Sequence, residues 1–168
     1  TDAAGEMRAL CQFVSHAWAD FRLQELAGAA EAAGVDFAVE SAAGAAASPC
    51  GASGCLVWVR TASDAAAHAV AARAVLPKRL LDVWASGPDW DAVAAQLRLL
   101  PASRTDAYIG EGATFKVKVD AIGKKRSGAE IAAEIAALGE TLEWRGTARM
   151  VDPQHVIVIL HDTTAGAG

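Results

Sequence analysis

The stretch Ala113–Ser127, ATFKVKVDAIGKKRS, constrains the fold more than any other part of the chain. Phe115, Val117, Val119 and Ala121 alternate with Lys116, Lys118 and Asp120. Successive side chains of a strand point to opposite faces, so one face is apolar and the other carries two lysines. Gly123 ends the run, and Lys124, Lys125 and Arg126 follow at once. Ser127 with Glu130 three residues later spells a capping box, which starts a helix. A strand, a basic turn and a helix are therefore predicted in that order. The five cations have two readings. One is a solvated strand face with a charged turn. The other is a phosphate-contacting site on a nucleic-acid-binding domain.

Composition limits the second reading. The formal net charge is −5, so the chain is not basic over its whole surface, and nucleic-acid binding would need a local patch. Residues 101–168 hold eight Lys/Arg, and five of these fall between Lys116 and Arg126. The 168 residues suffice for one ordinary domain or two small ones. Apolar residues make up 53%, enough for a core, although many of the alanines mainly raise helix propensity.

Cys11, Cys50 and Cys55 have no CxxC spacing, so they read as reduced thiols rather than a disulfide framework or a zinc site. His16, His68, His155 and His161 fall in no metal-ligand spacing, and no metal site is assigned. Neither a signal peptide nor an apolar run of bilayer length is present, which fits a soluble intracellular protein with no membrane partner. The chain begins with Thr and ends in TTAGAG, and reads as a piece cut from a longer protein at linkers.

Taken in order, Leu10–His16 is an apolar run suited to a buried strand. Asp20 is placed to cap a helix through Ala33, with Leu23, Leu26 and Ala30 on one face and Gly34 as its C′ residue. Val35, Phe37 and Val39 alternate as a second strand. Ser41–Gly54 is Ala/Gly/Ser-rich without a pattern for burial and reads as a mobile loop. Cys55–Arg60 is a third strand. Ser63 or Asp64 caps a helix to about Leu76, which Pro77 ends, and Leu80–Trp84 is a fourth strand. The order β-α-β-β-α-β is the ferredoxin-like arrangement, an antiparallel sheet with two helices on one face. The fold class is α+β, with this first domain spanning 8–87.

A second α/β domain spans 88–162, and 163–168 reads as a linker. Asp89 opens a helix carrying Trp90, Val93, Leu97 and Leu100, and Pro101 stops it. Ala102–Gly112 reads as a loop. The basic strand follows, then the capped helix through Leu142 with Ile131, Ile135, Leu138 and Leu142 inward. Arg145–Met150 and His155–Leu160 read as strands around a turn at Asp152-Pro153. HVIVIL is nearly all apolar and reads as central, covered on both faces. The tryptophans at 58, 84 and 90 read as core, while Trp18 and Trp144 are open to base stacking as well.

Catalytic chemistry is missing from this pattern. No glycine-rich phosphate or dinucleotide loop follows a strand, and GxSxG and HExxH are absent. Glu130 and Glu134, one helical turn apart, read as a solvated helix face rather than a catalytic carboxylate pair. No catalytic residue is assigned.

Four segments carry a family resemblance: ADFRLQELAGAAEAAG, RAVLPKRLLDVWASG, ATFKVKVDAIGKK and RGTARMVDPQHVIVIL. In this order and at these distances, they resemble the N-terminal half of the eukaryotic-type tRNA (guanine-10-N2)-methyltransferase family. That half is a ferredoxin-like domain followed by a THUMP domain, an RNA-binding module. Phe21-Arg22 and Glu25-Leu26 match its first helix. Arg73, Lys78, Asp82 and Trp84 match the segment closing its first domain. Phe115–Lys118 match the THUMP strand, and Pro153-Gln154-His155 match the turn before the last strand. Ile122 departs from the family, which commonly has an aromatic residue there.

The resemblance implies a tRNA-binding module that grips the acceptor end, and a cytoplasmic protein. S-adenosylmethionine and the catalytic residues are expected in a separate domain beyond Gly168, with no cofactor in this chain. A small zinc-containing activator subunit is expected to bind that catalytic domain. The expected RNA contacts are Lys116, Lys118, Lys124, Lys125 and Arg126, extended by Arg73 and Lys78. Two other readings stay open. One is the same module in a thiouridine or pseudouridine synthase. The other is a protein-interaction scaffold that binds no RNA.

Overall fold

A computed structural model of the chain describes residues 7–13, 21–40 and 55–163. The expected Asp20 cap, the stacking reading of Trp18, His16, Cys50, the 41–54 loop and most of the terminal linker lie outside the described residues. The chain divides into two units, Thr1–Val83 and Trp84–Gly168. The fold is α+β, with a separate sheet in each unit.

The first unit runs β1 (Met7–Phe13), α1 (Arg22–Ala33), β2 (Phe37–Val39), β3 (Leu56–Thr61), α2 (Asp64–Ala71) and β4 (Pro77–Asp82). The strands pair antiparallel in the order β2-β3-β1-β4, the ferredoxin-like topology. Ala9 faces Val59 and Cys11 faces Val57 across the central pair. These alternate residues form the core with Phe13, Leu26 and Val70, so both helices cover one sheet face. Burial pushes the Cys11 thiol up to about 12, with Glu25 adding to the shift, and this keeps Cys11 an inert core residue. Helix α1 ends on Gly34 at φ 67°, a left-handed position that favours glycine.

Helix α2 stops at Ala71, five residues short of the expected Leu76. Alanines carry the helical pattern beyond Ala71, but Glu25 of α1 captures the next backbone. Its carboxylate accepts from the amide of Val75, and from that of Leu76 at 3.1 Å. Those amides are thereby diverted from helical bonding, and the chain becomes extended at Pro77. The fourth strand consequently begins three residues earlier than Leu80 and ends before Trp84.

The second unit runs α3 (Trp90–Arg98), α4 (Ala102–Ile109), β5 (Thr114–Ile122), α5 (Gly128–Thr141), β6 (Thr147–Ala148) and β7 (His155–Asp162). Asp89 caps α3 by accepting from the Ala92 amide at 2.9 Å. Helix α4 replaces the expected loop at Ala102–Gly112. Pro101 occupies its N-cap, and Thr105 and Ile109, four residues apart, are its buried side chains. Arg145–Met150, expected as a strand, contributes only the two residues of β6.

Strand β5 is central, with β6 and β7 parallel on either side. HVIVIL therefore lies at an edge of the sheet among the described residues, not at its centre. Parallel register puts Phe115, Val117 and Val119 on one face with His155, Ile157 and Ile159. Of these, Phe115, Val117, Ile157 and Ile159 pack with Leu97, Ile109, Leu138 and Leu142. The other face carries Lys116 beside Val156 and Lys118 beside Val158. The run looks continuous because both faces of this edge strand bear aliphatic side chains, and Val156 is 52% exposed. The described tryptophans are packing residues. Trp58 is buried, Trp84 and Trp90 line the second core, and Trp144 meets Phe115 edge-on at 5.2 Å.

Candidate nucleic-acid interface

The interface is built on the junction of β5 and α5. Gly123 turns the chain at φ 93°, where a side chain would be strained. Thr163, just past β7, fastens the turn. Its hydroxyl accepts from the Lys124 amide at 2.8 Å and donates to the Ile122 carbonyl at 2.9 Å. On the far side the capping box forms as expected. Glu130 N donates to Ser127 Oγ at 3.3 Å, and Ser127 N donates to Glu130 Oε2 at 2.7 Å. The Ser127 hydrogen bonds, backbone first, hold the Glu130 carboxyl below its ordinary value, with Arg126 and Lys124 adding in the same direction.

The expected contact residues separate into three groups. Lys124 and Lys125 project from the turn and are exposed. Lys116, half-buried, and Lys118, exposed, lie on the open face of β5. From Lys118 to the end of the strand is about 13 Å at the usual rise per residue. None of these four lysines has an ion pair among the described residues. Arg126 differs: it donates Nη1 to Glu130 Oε1 at 3.1 Å and Nη2 to Glu134 Oε1 at 2.7 Å. Arg73 and Lys78 belong to the first unit and are both exposed. Arg73 donates to the Ala69 carbonyl at 3.2 Å.

Sequence reasoning missed three side chains that brace this strand and its turn. Glu134 is no solvated bystander, since it also meets His161 Nε2 through Oε2 at 2.8 Å. Thr163 carried no sequence signal, because its role depends on β7 lying beside β5. Gln154 bridges the start of β5, its side-chain Oε1 accepting from Thr114 N at 2.8 Å while its backbone N–H donates to Thr114 Oγ1 at 3.1 Å. Only its place in the PQH segment of the resemblance hinted at it. At the same end, Arg145 pairs with Asp106, which raises the guanidinium pKa through that hydrogen bond and charge.

The fold defines a two-unit α+β protein that exposes two lysines at a glycine turn. Comparison narrows the class. Residues 7–167 match the family model described as the Tmrp11 THUMP N-terminal domain. The match spans nearly the whole chain, so the protein belongs to that family of N-terminal THUMP domains. THUMP membership assigns it to the tRNA-binding modules. No curated protein matches the chain. Among the described residues, no helix is long and apolar enough to cross a membrane, and no cluster of His, Cys, Asp or Glu could hold a metal ion.

Proposed function

We propose that this chain is the tRNA-gripping half of a tRNA guanine-N2-methyltransferase and that it engages the acceptor end. The observation that carries the reading is the pair Lys124 and Lys125, exposed at a fastened turn in a THUMP-family chain. Lysines are mobile point charges suited to phosphates, whereas reading bases calls for fixed bidentate partners. Lys116 and Lys118 add contacts from the strand face, and Arg73 and Lys78 supply phosphate contacts on the first unit. An unpaired 3′ end is the favoured target, because RNA-binding modules select unpaired segments.

S-adenosylmethionine does not fit the turn from β5 into α5. There, Gly123 is followed by three bulky cationic residues where a cofactor loop needs glycines for close backbone approach. On this reading, methyl transfer is the work of a separate catalytic domain of a cytoplasmic enzyme, and the zinc-containing activator subunit would bind that domain.

The test is equilibrium binding to two RNAs of equal duplex length, one with a single-stranded 3′ extension and one blunt. Tighter, salt-sensitive binding of the extended RNA is expected. Equal affinity for both would remove the acceptor-end assignment. Incubated with tRNA and S-adenosylmethionine, the chain should form no N2-methylguanosine, and detectable product would overturn the division of labour.

A further inference from the structure

The basic turn is held by charged groups that phosphate binding does not use. Arg126 sits between Glu130 and Glu134, its side chain is 29% exposed, and its Nε is buried. Glu134 in turn reaches His161 at the end of β7. With Thr163 holding the Lys124 amide, the turn is pinned on both sides. Lys124 and Lys125 are left exposed between the pins.

We infer that Arg126, Glu134 and His161 are positioning residues that set the direction of Lys124 and Lys125, and that Arg126 makes no phosphate contact. The inference rests on the RNA-binding reading above and assigns different work within the same site. A planar guanidinium can hold two carboxylates at once, which a lysine ammonium does with far less geometric definition. An arriving phosphate would have to displace a carboxylate from Arg126, leaving Glu130 and Glu134 one helical turn apart without their shared cation. A turn ordered before RNA arrives also avoids the entropic cost of ordering it on binding.

Charge gives the test its sign. Glu134→Ala removes a negative charge beside the site, so an account based on charge alone predicts tighter RNA binding. A positioning role predicts weaker binding, by about 3- to 10-fold for one side chain's lost order. The salt slope should not change, because the same phosphates are contacted. Arg126→Lys keeps the charge and loses the fork, so it should also weaken binding at constant slope. Lys124→Ala should instead lower the slope by about 0.7, one contact on a single strand.

The measurement is a salt titration of these variants on a tRNA acceptor-stem minihelix, with thermal melting to confirm that each remains folded. Tighter binding by Glu134→Ala, or full binding by Arg126→Lys, would overturn the inference while leaving RNA binding intact. Wild-type protein that binds the minihelix without salt dependence would bring down the RNA reading itself, and the inference with it.

Discussion

The two units handle arginine and glutamate in opposite ways. In the first, one carboxylate serves two cations: Glu40 pairs with Arg8 at 2.7 Å and lies 3.8 Å from Arg60. In the second, two carboxylates serve one cation, Arg126. In the first arrangement Arg8 also lies 3.9 Å over the Trp58 ring. In the second arrangement Glu134 also reaches His161. A count of cations is therefore not a count of contacts. Among five expected cations in the second unit, one is already engaged by its own protein.

The same contrast extends to the sheets, and core substitutions test it with the largest effects. Leu26 lies in the antiparallel unit at 0% exposure, and Phe115 lies in the parallel unit at 1%. Phe115→Ala should cost about 3–5 kcal/mol and Leu26→Ala about 2–5 kcal/mol, read by chemical denaturation. Trp90 and Trp144 report on the second unit and Trp58 on the first. A loss under about 1 kcal/mol for Phe115→Ala would mean that the parallel unit is not centred on β5.

Glu25 and Ser127 are the backbone captures of the two units. Glu25→Ala should cost about 1–3 kcal/mol by leaving the Val75 and Leu76 amides without their acceptor. Ser127→Ala should cost about 0.5–2 kcal/mol through loss of the α5 cap. If the order of these two costs reversed, the connection after α2 would be held by something other than Glu25.

The smallest effect is a pH dependence confined to the second unit's cap. Glu130 is held below its ordinary value of 4.5, chiefly by Ser127. A carboxyl lowered by folding contributes fully above its unfolded value, and the contribution fades as pH falls through the folded value. Amide exchange at Ser127 should therefore speed up as pH drops below about 4.5, once corrected for intrinsic rates. Glu130→Gln should abolish that extra acid sensitivity, and an identical acid profile in the variant would contradict the assignment.

Much of the fold was legible because local signals and packing agreed. Asp89, Ser63 and Ser127 cap the helices as their spacing indicates, and Phe115 to Val119 alternate as the register requires. Two of the misreadings, the end of α2 and the place of HVIVIL, share one cause, a partner distant in sequence. The alanines after Ala71 favour helix until Glu25, some fifty residues earlier, takes the amides. Helix α4 buries only two of its eight residues, too few to announce it. HVIVIL reads as central because composition does not reveal which strand has two neighbours. The site followed the same rule. Lys124 and Lys125 were visible as charges, whereas the engagement of Arg126 depends on helix α5 and on β7 through His161.

The central claim is that the turn between β5 and α5 binds RNA phosphates through Lys124 and Lys125. The most direct measurement is the salt dependence of acceptor-stem minihelix binding for wild type and for the Lys124→Ala/Lys125→Ala double variant. Two lost contacts on a single strand should lower the log–log slope by about 1.4 and weaken binding at every salt concentration below the crossing of the two lines. Equal slopes and equal affinities would contradict the account and return the turn to an ordinary solvated surface.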